Sequence, residues 1–207
     1  MIYLALVWVA AIPSTETSNI GWSTAQVWSP DHRYVVVNIV TDKGTDTRIG
    51  QNELWLIDVK EGVATKCFSY NRNVDVLWSP DSLRFVLNDR AESNEAGCIL
   101  KTPALKDGKL SIQDTPVSKT LIDTDEMHDL RRMGHRYVVA KKWIDNDTLE
   151  LDSSGYDPVD EKGPSDVEFV HNYNVVKGTF EKVESVDNEQ KNTDFKTTTR
   201  NKQSVEK

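Results

Sequence analysis

The 207-residue sequence holds only two cysteines, Cys67 and Cys98, and has no Cys-x-x-Cys or Cys/His cluster. A structural zinc is excluded on ligand count, and one pair of thiols cannot make a disulfide framework. A single bridge would need the fold to bring the two together, so two buried thiols are the simpler expectation. Basic residues are also scarce: 25 Lys and Arg stand against 33 Asp and Glu, for a net charge of −8. That balance argues against a general electrostatic grip on nucleic acid or anionic lipid and suits a basic partner instead. No apolar run reaches the roughly 20 residues that a membrane-spanning helix needs. The unbroken run Met1 to Ile12 resembles the core of a secretory signal, with small residues at Val9-Ala10-Ala11 for cleavage. No Lys or Arg precedes it, so the basic start of such a signal is missing and a buried first strand is the competing reading. The expectation is a signal or N-terminal segment over residues 1–19 and a location outside the cytoplasm, periplasmic or secreted.

What the chain does have is a repeat. Trp28-Ser29-Pro30-Asp31 recurs as Trp78-Ser79-Pro80-Asp81, a spacing of 50 residues (78 minus 28). The runs that follow also match, Tyr34-Val35-Val36-Val37-Asn38 and Arg84-Phe85-Val86-Leu87-Asn88, each rich in β-formers and ending on Asn. A weaker third copy starts at Trp143, where Ile144-Asp145-Asn146-Asp147-Thr148 replaces the turn and Leu149-Glu150-Leu151-Asp152 the strand. Pro30 and Pro80 preset φ for a tight turn and the neighbouring Asp bonds back to the backbone; Asp145 and Asn146 keep the second device only. A period of this length indicates an array of supersecondary units.

Each copy sits in an order of four strand-like runs. The first has Ser23–Trp28, Tyr34–Thr41, Glu53–Val59 and Ala64–Ser69. The second has Asn73–Trp78, Arg84–Asn88, Gly97–Pro103 and Pro116–Ile122, and the third Arg136–Trp143, Thr148–Asp152, Val167–Val176 and Gly178–Glu184. Inner runs such as Val35 to Val40 and Leu54 to Ile57 are apolar on both faces, so both should be covered. The fold expected is all-β: three four-stranded antiparallel units over residues 20–69, 70–122 and 133–184, stacked face to face, with the Trp of each first strand filling the space between neighbours. Residues 185–207 keep only Val186, Phe195 and Val205 as sizeable apolar residues and are expected to be a disordered polar tail.

The Trp-Ser-Pro-Asp repeats, with the Leu54-Trp55-Leu56-Ile57-Asp58-Val59 strand, resemble propeller blades of the TolB type. The same blades occur in dipeptidyl peptidase and prolyl oligopeptidase relatives. The resemblance covers residues 20–184 and implies blade architecture; it is silent on activity, because one fold hosts many functions. Three blades cannot close a ring, which takes four to eight. The array is therefore expected to be open within one chain, with a homodimer that completes it as the alternative.

Gly21-Trp22-Ser23-Thr24-Ala25 approaches a Gly-x-Ser-x-Gly elbow, but an elbow needs a strand before the Ser and a helix after it, and this one leads into a blade strand. Asp123, Asp125, Glu126, His128, Asp129 and His135 crowd one connection without any recognised metal-ligand spacing, which reads as a solvated, partly helical linker. His32 and His171 read as surface or satisfied strand residues. The connections between second and third strands should share one face and grow more acidic along the chain. Asp42 and Asp46 balance Lys43 and Arg48 in the first; Asp89, Glu92 and Glu95 outweigh Arg90 in the second; Asp157, Asp160, Glu161 and Asp166 outweigh Lys162 in the third. These loops are the candidate contact surface for a basic partner or a divalent cation. The function expected is a non-catalytic binding or protein-interaction module for an unknown protein or small molecule, with no cofactor and no resident metal. A diverged or truncated peptidase-type propeller associated with hydrolysis is the alternative.

Overall fold

Both Ser-Pro-Asp segments fold into the same turn. Ser29 Oγ donates to Asp31 Oδ1 at 2.6 Å, and the Tyr34 amide donates to Ser29 Oγ at 2.9 Å. In the second copy Ser79 Oγ donates to Asp81 Oδ1 at 2.6 Å and the Arg84 amide to Ser79 Oγ at 3.1 Å. The two Asp side chains also accept from the Arg33 and Leu83 amides, both at 3.0 Å. The chain reverses through a left-handed residue in each, His32 at φ 58° and Ser82 at φ 63°, a conformation that the surrounding bonds hold against its cost.

The computed structural model describes residues 19–20, 26–40, 52–90, 94–156 and 167–183. Most of the N-terminal segment, Ser23, the tail and most of the candidate loop residues, namely Asp42, Asp46, Arg48, Glu92, Asp157, Asp160 and Glu161, lie outside them. A short strand β1 (Asn19–Ile20) is followed by three antiparallel meanders. The first is β2 (Gln26–Trp28), β3 (Tyr34–Val40), β4 (Asn52–Asp58) and β5 (Val63–Tyr70). The second is β6 (Asn73–Trp78), β7 (Phe85–Arg90), β8 (Glu95–Lys106) and β9 (Lys109–Thr115), with β1 paired to β6. The third is β10 (His135–Trp143), β11 (Thr148–Tyr156), β12 (Val167–Asn174) and β13 (Thr179–Val183). The helices α1 (Val117–Ile122) and α2 (His128–Arg132), with a 3-10 turn at Asp125–Met127, connect the last two meanders; helix was expected only from Asp123 to His135, and there Met127 and Leu130 are buried and not solvated. Among the described residues no helix is long and apolar enough to cross a membrane.

Two expectations are corrected. The fourth strand of the second unit is Lys109–Thr115, and Pro116–Ile122 opens α1 instead, because Val117 and Leu121 stand one helical turn apart and are both buried. The second and third units are also not separate sheets. Parallel pairs Arg136–Glu95 and Tyr137–Ala96 join them at one corner, since β9 pairs with β8 only from Leu100 onward and leaves the start of that long strand open. The described strands form no closed ring.

Alternation along the strands sorts the core into two layers. Tyr34, Val36, Leu54 and Leu56 of the first meander pack on Val74, Val76, Phe85 and Leu87 of the second. Val86, Cys98 and Leu100, on the other face of the second, pack on Val138, Ala140, Leu149 and Leu151 of the third, with Val117, Leu121, Met127 and Leu130 filling one side. Cys67 and Cys98 are free, buried thiols, each pushed up to about 12 by loss of solvation. Both-sided burial is only partial for β3 and β4: Val35 is buried on the face turned away from the second meander, but Val37, Ile39, Trp55 and Ile57 on that face remain part-exposed, Ile39 by 43%.

Candidate functional site

The repeat locks its layers with its tryptophans. Trp78 Nε1 donates to the carbonyl of Val27, the residue before Trp28, and Trp143 Nε1 donates to the carbonyl of Leu77, the residue before Trp78, both at 3.2 Å. Trp78 also stacks on Tyr34 at 5.9 Å. Trp78 and Trp143 thus fill the space between layers as expected, whereas Trp28 stands on the outer face beside Val35, its partner across the ladder. The turns are tied as well. The Asp31 amide donates to Ser82 Oγ at 3.0 Å, and Arg84 donates to the Asn146 carbonyl and to Asp147 Oδ1 at 3.2 and 3.0 Å. Asp31 and Asp81 are therefore structural, with Pro30 and Pro80 exposed or at the turn's rim.

Two bulges supply further ties. Cys67 is the extra residue where the β4–β5 register shifts, and its freed carbonyl accepts from Lys101 Nζ at 2.8 Å. That ammonium also reaches Asp114 at 2.7 Å and lies 5.2 Å from the Phe68 ring centroid. The register shifts again between Ala140 and Lys142, and there the side chain of Asn88 takes both backbone groups of Ala140, each at 2.8 Å.

Where β3 and β7 end, several polar atoms are buried without partners among the described residues. Asn38 Oδ1, the Tyr70 hydroxyl and Asp89 Oδ1 all enter the junction between the first and second meanders. Register places them: Asn38 continues the Tyr34 and Val36 face, Tyr70 lies opposite buried Asn52, and Asp89 lies opposite Val74. Burial raises the pKa of Asp89 from its ordinary carboxylate value. Burial likewise raises that of Tyr70. Such groups cost folding free energy unless something satisfies them.

The next junction has a counterpart. Asp89 is the fourth residue after Phe85, the partner of Trp78, and Ser153 is the fourth after Leu149, the partner of Trp143. Ser153 Oγ is buried without a partner, and so are both ring nitrogens of His171. Burial lowers the His171 pKa; Glu126, whose carboxylate is 3.9 Å from Nε2, pulls it up and Lys182 pulls it down. His171 is therefore neither a surface residue nor a satisfied one.

Of the acidic loop residues foreseen from sequence, Asp89 and Glu95 are described, and both stand on strands. Asp89 belongs to the unpartnered cluster, while Glu95 pairs with Arg136 at 3.7 Å. Asn38 and Tyr70 were missed, although the matching Asn38 and Asn88 in the two copies were a usable signal. No cluster of three or more metal-ligating side chains occurs among the described residues. No family model matches the chain, and neither does any curated protein or solved structure.

Proposed function

We propose that this chain is a non-catalytic, extracytoplasmic binding module whose three meanders are propeller-type blades. The loop end of its first two blades receives a cationic group from a basic protein or peptide. The observation that carries this reading is Asp89, a half-buried carboxylate that, among the described residues, has no cation beside it and lies with buried oxygens that have no donor. One negative charge with neutral oxygens around it matches an ammonium, which brings one positive charge and three donors. A divalent cation such as calcium wants six to eight oxygens, more than the group offers. The acidic balance of the chain supports the same choice by favouring approach of basic partners. The hydrolase-associated reading gains less support, because Ser153 and His171 share a face but neither makes a hydrogen bond to the other.

The test is titration of the full chain with a fluorescent oligolysine peptide, with a glutamate peptide of equal length as control. Saturable oligolysine binding that weakens as salt rises and disappears in Asp89→Asn supports the reading. Absence of binding in the wild type, or equal binding by Asp89→Asn, contradicts it.

A further inference from the structure

The first meander ends the array on a face that the repeat elsewhere always covers. In the second and third meanders the Trp face is packed on the preceding one, and the indole N–H reaches a carbonyl there. On the first meander the same face carries Trp28, whose indole has no such acceptor among the described residues, together with part-exposed Val37, Ile39, Trp55 and Ile57. The opposite kind of face, the one that receives a Trp, is likewise unused on the third meander. It carries part-exposed Tyr137, Val139 and Tyr156. Of its charges, Lys141 pairs with Asp152 at 2.9 Å and Lys142 with Glu150 at 3.2 Å, while Glu168 and Glu181 on the outer strands stay exposed. Lys142 stands immediately before Trp143, the position from which Val27 and Leu77 offer their carbonyls.

We infer that a second copy of this chain covers both faces at once. The first meander of each copy packs on the third of the other, and Trp28 donates to the Lys142 carbonyl across each of the two junctions. The inference rests on reading the meanders as blades, for which six lies within the four to eight that close a ring and three does not. Two-fold pairing also leaves no open end for further growth.

Light scattering on the full chain after size exclusion tests it, with Ile39→Lys on one face and Val139→Lys on the other. The expected mass is two chains for the wild type and one for each variant, with circular dichroism confirming that both still fold. Trp28→Phe keeps the ring and removes the donor at both junctions, so the dimer should dissociate at about 30-fold lower dilution, the worth of two hydrogen bonds. A wild-type mass of one chain overturns the inference. So does a dimer lost in Ile39→Lys but kept in Val139→Lys, which would mean that two first meanders meet. Oligolysine binding through Asp89 is read separately on the same samples, so failure of the dimer and failure of the binding reading give different results.

Discussion

Asn38 and Asn88 hold the same place in successive repeats and face the same way, yet they end in opposite states. Asn88 meets β10 beside its bulge, at an edge that β8 leaves uncovered, and its amide takes both backbone groups of Ala140. Asn38 enters the junction with the second meander, where the β6–β7 ladder runs from Asn73 to Trp78 without a bulge, and its Oδ1 has no partner among the described residues. The same residue is a cross-layer clamp in one junction and an unpartnered acceptor in the other. A repeated sequence thus fixes direction and spacing, while the neighbouring strand decides whether a polar group becomes structural or is left for a ligand.

The contrast can be broken most sharply at its stronger side. Asn88→Ala leaves the Ala140 N–H and C=O buried without partners and should cost about 3 kcal/mol in urea unfolding. Asn38→Ala should change stability by no more than about 0.5 kcal/mol, because no hydrogen bond to its oxygen is lost. Equal losses in the two variants would end the distinction between the junctions.

Lys101 sharpens the comparison from the first junction, where it does for the Cys67 bulge what Asn88 does for the Ala140 bulge. Its side chain is 2% exposed, whereas Asp114 is 54% exposed and stays solvated when the pair is broken. Lys101→Met should therefore cost about 1–2 kcal/mol, from the orphaned carbonyl and not from an unpaired buried charge.

The second junction should show the smaller, pH-dependent effect. Because the folded-state pKa of His171 lies below its ordinary value of 6.5, the unfolded chain takes up the proton first as pH falls. Stability should then decline from about pH 6.5 down to the folded-state pKa. His171→Gln should flatten thermal melting temperatures across that window; an unchanged slope would mean that another group governs it. Asp89 and Asp75 have the opposite sign: burial raises both, with Arg90 opposing the rise at Asp75, so each favours the folded state more as pH falls through its raised value.

Much of the frame was legible in the sequence. The identical tetrapeptides gave the turn, the period gave the three meanders, and the Trp positions gave the locks between layers. The second unit was misread at Asp107-Gly108, a strong hairpin signal whose residues sit at φ 51° and 69° between β8 and β9. Missing it moved the fourth strand onto a helix. The strand itself is hard to see, since Leu110 and Ile112 alternate with polar residues on an outer edge. The bulges left no readable mark, because they arise from how two strands register against each other. Without them, the difference between Asn38 and Asn88, and the burial of Lys101, could not be foreseen. Asp89 is legible in the sequence as a loop acid; its burial opposite Val74 depends on the packing of two layers.

The most direct test of the account is the stability of Asp89→Asn at neutral pH, measured beside oligolysine binding on the same protein. A carboxylate kept buried for a ligand should cost the free protein stability, so the variant should melt higher and fail to bind. A variant that melts lower would mean that Asp89 is a structural residue with a partner in the folded chain, and would contradict the proposed site.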